Sequence, residues 1–536
     1  MQPLITVRLR QLFPSASFIG CADLRVRDAV CSSSEVTVGC LFAAVPGTTR
    51  HGREFVGEAL QRGAKSLLLD RPLPECQLPQ CIVPNVREAF AQLCHALFAH
   101  PTRHLGVVGV TGTNGKTTTT WMVRSILEAA RGPSGLIGTI ETSDGMGRAP
   151  ARLTTPGSRD LASLLASTRR QKVKYAALEL SSHALDQCRT AGTELDVAVV
   201  TNLTQDHFDY HGTFENYRLA KSRIFGHLKR GGTAVLNADD EAAMSLLPLT
   251  GSSQVVTYGL HPDAQVRGEI LDQSVEGTHF RVTAGTESTL CFTPLIGRYN
   301  VSNALAAIAS CRQLGLSLAE MTTGLERLTL VPGRMQRVDA GQPFEVWVDY
   351  AHTEDGLRGA IAAVRPLVRG RLTVVFGAGG DRDPGKRAPM GSAAAEADMA
   401  IVTSDNPRSE CPEAIAQQIV SGWTGGSRLD FRPRFLGDAP LAWTKAHATG
   451  TFFGCVILDR ESAIRQAIHA AGPGDGVLIA GKGHEEFQII GSEKRPFRDL
   501  EVSLEAIASH PQRPQDWPRP PHLLKVRNVG KVHEIR

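Results

Sequence analysis

GVVGVTGTNGKTTTTWMVRSIL, residues 106–127, runs from an apolar strand into a helix through a loop that contains Gly109, Gly112 and Gly115. Glycines let backbone N–H groups converge on an anion, and the start of a helix adds the positive end of its dipole. Lys116 supplies a point charge, and the Thr117 hydroxyl can reach a Mg²⁺ ion. The stretch is therefore a phosphate cradle for a nucleoside triphosphate, built from Gly112, Thr113, Asn114, Gly115, Lys116, Thr117 and Thr118. It is a variant form: the spacing G-x-x-x-x-G-K-[ST] would put glycine at position 110, where Val110 stands.

Outward from this loop, short apolar runs recur at 105–110, 176–180 and 197–201, and again at 346–349, 372–376, 399–403 and 477–480. Continuous runs of this kind suit strands buried on both faces, and their alternation with helical patterns reads as βαβ units in parallel sheets. The fold class is α/β, with two such domains in series. The helical stretch 299–328 followed by VPGRMQ sets a boundary near Gly333, and HPTRH before the first strand sets residues 1–103 apart. The division expected is 1–103, 104–333 and 334–505, with the proline-rich, basic residues 506–536 as a tail of low order.

Composition narrows the partners. The 536 residues carry 58 Lys and Arg against 54 Asp and Glu, a net charge of +4 that is too weak to argue for nucleic acid or a membrane surface. Aromatic residues are only 6% of the chain, which disfavours base-stacking platforms. The 11 cysteines form no C-x-x-C pair, so a disulfide framework or zinc knuckle is not expected, and a reducing cytoplasm is. Neither an export leader nor a membrane span is expected, because no window nears the ~18 apolar residues a span needs.

GTNGKTTT resembles the ATP loop of the Mur ligase family, which also contains folylpolyglutamate synthases. Further matches come in the family's order: ELSSHALDQCR, TNLTQDHFDYHGTFENYRLAKSRIF, IGRYNVSNALAA, VPGRMQ, DYAHTEDGL, GAGGDRDPGKR, SDNPR and GKGHEEFQ, together covering most of residues 105–500. The nearest branch is the diaminopimelate-adding, MurE type. The resemblance implies three domains: an N-terminal one for the UDP-linked substrate, a central P-loop ATPase domain, and a Rossmann-like C-terminal domain for the amino acid. It also implies a cytoplasmic, monomeric ligase with ATP as co-substrate and Mg²⁺ as cofactor, joining meso-2,6-diaminopimelate to UDP-MurNAc-L-Ala-D-Glu through an acyl phosphate during peptidoglycan synthesis. The alternatives are a lysine-adding relative and a folylpolyglutamate-forming one.

The same resemblance assigns residues. Lys116, His207 and Lys221 fall on catalytic positions, with Lys221 carbamylated so that a cation becomes an anionic ligand. Thr117, Glu179, His207 and modified Lys221 fall on metal positions. Asn300, Arg334 and His352 match the nucleotide side. Ser33, His51, Thr154, Thr155, Ser181, Gln187 and Arg189 match contacts to the UDP-linked substrate. Arg382, Asp405, Asn406, Pro407, Arg408, Gly481 and Glu485 match contacts to diaminopimelate. The physical reason for Arg408 is direct: a distal carboxylate can be gripped by a guanidinium, whereas lysine offers only an ammonium there.

Three stretches depart from the family pattern. SSSEV puts Ser32, Ser33 and Ser34 where Asp, Ser and Arg are usual. The stretch 421–454 is longer than usual, and PFRDLEV replaces a PFDD-type sequence.

Overall fold

The structure is a computed structural model that describes residues 5–47, 50–424, 444–445 and 452–511. Most of the 421–454 stretch and all but the start of the C-terminal tail lie outside the described residues. The chain forms two compact units, one holding most of residues 1–329 and the other most of residues 330 onward.

In the first unit, residues 17–82 make a five-stranded sheet in the order Ser17–Ile19, Gln80–Ile82, Ser66–Leu69, Leu41–Ala43, Ala29–Val30. The helix Val86–Leu97 buries Phe90, Leu93 and Leu97 in a core that also includes Ala162 and Ala166 of the helix Ser158–Arg170. Residues 1–103 thus have a sheet of their own but share apolar packing with a helix of the central stretch.

The larger sheet has eleven strands. Its centre is parallel, with Tyr175–Glu179, Gly106–Thr111 and Leu195–Val200 side by side. The apolar runs explain the placement: Val107, Val108, Val110, Ala177, Leu178 and residues 197–200 are fully buried. Register does the rest. Glu179 lies opposite Val110, and Val200 opposite Thr111, so three adjacent strands end at one level and release their loops at the same edge. Ligands in α/β sheets gather at such carboxyl ends.

The second unit is built on a seven-stranded sheet whose parallel centre runs Glu345–Asp349, Gly476–Ala480, Leu372–Phe376, Met399–Val402, Phe453–Val456. Asp349 pairs with Ala480 and Phe376 with Val402, which again brings four strand ends to one edge. The helix Asp499–Ala508 buries Ala506 and Ile507, so the fold continues past the expected end at 505 because these apolar side chains complete its core.

Arg460 and Asp499 form an ion pair with both side chains 0% exposed. Arg460 Nε and Nη2 donate to the two carboxylate oxygens at 2.7 and 2.8 Å, and Nη2 also donates to the Ala480 carbonyl at 2.9 Å. The departure at PFRD therefore leaves the buried aspartate in place. Arg498 before it lies on the surface and pairs with Glu486 and Glu501. Asp499→Ala strands a buried guanidinium, so equilibrium urea unfolding is expected to show a loss of about 3–5 kcal/mol in the second unit. A loss below about 1 kcal/mol would contradict that assignment.

Candidate active site

The phosphate loop is held from behind. Thr113 N donates to the Asn202 carbonyl and Asn114 N to Asn202 Oδ1, both at 2.8 Å, while Thr201 Oγ1 donates to the Asn114 carbonyl at 2.6 Å. Gly112 has φ +147°, and a Cβ there would lie 1.8 Å from Thr201 Oγ1. Gly115, at φ +84°, would put a Cβ 2.3 Å from Asn303 Oδ1. Only glycine allows the turn and the close approach at both points. Lys116 Nζ folds back onto the carbonyls of Gly112 and Thr113, at 2.8 Å each. Thr118 lies in the first turn of the helix Lys116–Arg131, where backbone N–H groups lack intrahelical partners.

Glu179, at the end of its strand and 0% exposed, is the hub of this site. Its Oε2 accepts from Thr117 Oγ1 at 2.9 Å and Thr139 Oγ1 at 2.8 Å, and its Oε1 accepts from Thr139 N at 2.8 Å. Thr139 Oγ1 continues to Thr154 Oγ1 at 3.1 Å. The Glu179 carbonyl accepts from Thr155 Oγ1 at 2.7 Å, and that hydroxyl accepts from Ser181 N at 3.0 Å. One hydrogen-bonded chain thereby joins the nucleotide loop to Thr154, Thr155 and Ser181. Arg189 closes the edge, donating twice to Gln187 Oε1 and once to the Thr155 carbonyl.

Lys221 comes from the helix Phe214–Ser222 and is only 1% exposed. Its Nζ donates to the Gly112 carbonyl at 2.7 Å, the oxygen that Lys116 also uses, and lies 4.6 Å from the Tyr217 ring centre. Burial, with the charge of Lys116 adding to it, holds its pKa well below the ordinary lysine value. His207 sits at φ +56°, its Nε2 3.4 Å from Asp206, with its ring edge-on to His183 at 4.8 Å. Desolvation lowers its pKa, favouring the neutral imidazole that metals bind. The structure thus joins Thr117 to Glu179 and Lys221 to the nucleotide loop, and sets His207 in a neighbouring histidine cluster. Asn300 is buried and reaches the loop indirectly: its Oδ1 accepts from Asn303 Nδ2 at 3.2 Å.

Ser33 lies in the short helix Ser33–Glu35, where its hydroxyl donates to Glu58 Oε2 at 2.8 Å, and Ser32 and Ser34 bond each other at 2.7 Å. His51 caps the next helical turn, Gly52–Phe55, and its Nε2 lies 3.7 Å from Asp70. Without the usual aspartate and arginine, Ser32 and Ser34 bond each other, and Ser33 bonds Glu58.

In the second unit, two guanidinium groups stand at the edge of the sheet. Arg408 Nη1 donates to the Gly380 carbonyl at 2.6 Å, and Arg382 Nη1 to the Asp381 carbonyl at 3.4 Å. Neither is in ion-pair contact with a carboxylate among the described residues, although the charge of Arg408 adds to the Ser409 hydrogen bonds that lower the pKa of Asp381. Pro407 closes against Gly380, where a Cβ would meet the proline carbonyl at 1.9 Å. Arg408 has φ +51° and is anchored by its backbone to the hairpin Phe487–Ile490 and Glu493–Pro496: its N donates to the Ile489 carbonyl, and its carbonyl accepts from Gly491 N. Asp405 and Asn406 are buried. Gln488 Nε2 donates to the Asp405 carbonyl at 2.9 Å, and Asn406 Nδ2 donates to Glu485 Oε2 at 2.9 Å. Gly481, at φ +112°, would put a Cβ 2.7 Å from Asp405 Oδ2. Arg334 lies over the Tyr350 ring at 4.3 Å, and His352 Nδ1 is 2.8 Å from the Tyr350 carbonyl.

Family models match twice: a Mur ligase middle domain over residues 110–311, and a Mur ligase glutamate ligase domain over residues 333–483. A relative from Geobacillus thermodenitrificans (strain NG80-2), a UDP-N-acetylmuramoyl-L-alanyl-D-glutamate--2,6-diaminopimelate ligase, is 41% identical over 482 residues, spanning 89% of this chain and 93% of its own. The chain belongs to the Mur ligase family. A relative of the same description from Gloeobacter violaceus (strain ATCC 29082 / PCC 7421) is 40% identical over 92% of this Mur ligase and 96% of its own length. A solved structure of a UDP-N-acetylmuramoyl-L-alanyl-D-glutamate--2,6-diaminopimelate ligase aligns with a TM-score of 0.64 and 31% identity, covering 94% of this chain and 99% of that one.

Several residues that hold this site together are not among those the sequence singles out. Asn202 and Asn303 brace the nucleotide loop, Thr139 bridges Glu179 to Thr154, and Gln488 and Lys482 secure the DNPR loop. All but Thr139 stand inside the motifs TNLTQDH, YNVSN and GKGHEEFQ, and membership of those motifs is the signal that could have found them. Thr139 lies outside every motif and has none.

Proposed function

We propose that this protein joins meso-2,6-diaminopimelate to UDP-MurNAc-L-Ala-D-Glu, with ATP converted to ADP and phosphate, during peptidoglycan synthesis. The observation that carries the amino-acid specificity is Arg408: a guanidinium held by the Gly380 carbonyl on a backbone-anchored residue, with no carboxylate in ion-pair contact among the described residues, is poised for a substrate carboxylate. The domain roles would follow the expected division at residues 103 and 333, with the UDP end on the first part, ATP on the second and the amino acid on the third. A monomeric enzyme of the reducing cytoplasm fits the eleven cysteines, all free thiols.

The reaction has two steps. An oxygen of the D-Glu carboxylate attacks the γ-phosphorus of ATP, and the bond to the bridging oxygen breaks to release ADP. The neutral amine then attacks the acyl carbon, the amide forms as phosphate leaves, and the amine gives up a proton. Two anions must meet in the first step, so cationic groups decide its rate. Lys116 would leave the Gly112 and Thr113 carbonyls to meet the β- and γ-phosphates. Thr154, Thr155, Ser181 and Arg189 would orient the UDP-linked substrate, with Gln187 holding the arginine.

The Thr117 hydroxyl and the buried Glu179 carboxylate, 2.9 Å apart, form a hard-oxygen donor pair that fits Mg²⁺. Among the described residues no three His, Cys, Asp or Glu side chains cluster as a metal site, so phosphate oxygens and water would fill the remaining positions. When bound, the ion would supply charge neutralisation between carboxylate and polyphosphate. Lys221 is read as a site of carbamylation: its amine nitrogen adds to carbon dioxide and loses a proton, leaving an N-carboxylate beside the phosphate loop. His207 would assist the metal side.

The test is direct. Purified protein with ATP, Mg²⁺ and UDP-MurNAc-L-Ala-D-Glu is given either meso-diaminopimelate or L-lysine, and tripeptide formation is measured. Strong preference for diaminopimelate is expected. Equal use of lysine would overturn the specificity, and absence of product with both amines would overturn the activity.

A further inference from the structure

Lys482 is 0% exposed and sits just past the strand Gly476–Ala480, between Gly481 and Gly483. Its ammonium does not pair with a buried acid. It donates to Glu485 Oε2 at 2.7 Å and to Asn406 Oδ1 at 3.1 Å, and Glu485 remains 31% exposed. Asn406 Nδ2 donates to the same Glu485 oxygen at 2.9 Å, closing a ring of three side chains, and Ile489 N adds a bond to Asn406 Oδ1 at 2.9 Å.

The asymmetry at Glu485 is the informative feature. Oε2 is saturated by two donors, one of them charged, whereas Oε1 has no hydrogen bond among the described residues. A carboxylate pinned by one oxygen has lost its rotational freedom, and its second oxygen is preset for a cation. Asp405, close enough to Gly481 to exclude a Cβ, brings a second carboxylate that likewise has no hydrogen bond among the described residues. Two acids face one buried lysine here, with the buried Arg460–Asp499 pair beside them and Arg460 acting on both acids, while Arg382 and Arg408 bring positive charge to the same loops. That polarity matches a zwitterionic amino acid.

We propose that Lys482 is a positioning residue for the amine-binding side of this site, fixing Glu485 and Asn406 so that the free Glu485 oxygen receives the substrate's ammonium group. This rests on the proposed diaminopimelate-adding activity. The role of the lysine is preorganisation: without it, Glu485 swings toward water and the incoming amino acid must order the carboxylate itself.

The experiment measures steady-state kinetics of Lys482→Met, which keeps an unbranched stem one atom shorter and removes the charge. KM for diaminopimelate is expected to rise about 30-fold, with kcat and the KM values for ATP and UDP-MurNAc-L-Ala-D-Glu within about threefold of the parent. In a double-mutant cycle with Glu485→Gln, adding Lys482→Met is expected to cost less than about threefold, because the group it positions is already impaired. A general structural role would raise all three KM values together, and independent action would make the two effects multiply; either result overturns the proposal. If Lys482→Met does not fold, Lys482→Gln, which can retain one of the two bonds, takes its place, with a rise of about fivefold confined to diaminopimelate expected and an unchanged KM counting against the idea. Failure of the parent protein to use diaminopimelate at all would instead strike the functional reading.

Discussion

Lys116→Met is expected to reduce kcat/KM for ATP by about 10²–10³-fold, or ~3–4 kcal/mol of transition-state stabilisation. The side chain begins in the first helical turn after Gly115, and its Nζ lies on two loop carbonyls, so a short rotation suffices to move it from loop to phosphate. Methionine preserves the stem and its packing. Loss of the charge therefore acts on phosphoryl transfer, and binding of the UDP-linked substrate should change by less than about threefold when measured by calorimetry. Lys221 shares the Gly112 carbonyl with Lys116, so the substitution also removes a like charge from Lys221 and should raise its pKa from its depressed value. Activity within tenfold of the parent would show that the phosphate charge is met by other groups.

The nucleotide loop is legible in the sequence because its chemistry is local: glycine, lysine and threonine at fixed spacing dictate backbone shape and charge within a dozen residues. The strands are legible for a similar reason, since uninterrupted runs such as residues 197–200 admit few placements other than the middle of a parallel sheet. What stays hidden is the contact made at long range. Nothing about Asn303 in its own helix says that its side chain abuts Gly115, and nothing around Thr139 says that it bridges Glu179 to Thr154. These pairings depend on strand register, which brings Glu179 and Val200 level with the start of the loop. The end of the last helix is obscured for a different reason: proline and basic residues after 510 mask the helical pattern that carries Ala506 and Ile507 into the core. At Ser33 the family pattern implies a ligand contact, and the structure shows its hydroxyl on Glu58, a partner 25 residues away that no local motif announces.

Arg408→Ala is expected to raise KM for diaminopimelate by at least about 10²-fold and to bring it close to the value for lysine. Truncating one side of a desolvated guanidinium–carboxylate contact costs roughly 2–5 kcal/mol, much of it from the carboxylate left unpaired. The geometry separates this side-chain effect from a fold effect. The positive φ of Arg408 and both of its backbone bonds to the hairpin belong to the main chain, so alanine can keep the loop attached, although it inherits the cost of a left-handed conformation. Arg408→Gly removes that strain as well as the guanidinium, and the two variants should therefore agree in KM while glycine is the more stable on heating. Lysine as substrate sharpens the result: its distal ammonium has no carboxylate beside it and would meet the guanidinium uncompensated in the parent, a repulsion that Arg408→Ala would remove, so kcat/KM for lysine should rise as that for diaminopimelate falls. Crossing of the two specificities identifies Arg408 as the reader of the distal carboxylate. A parallel loss for both amines would mean that the residue merely shapes the loop.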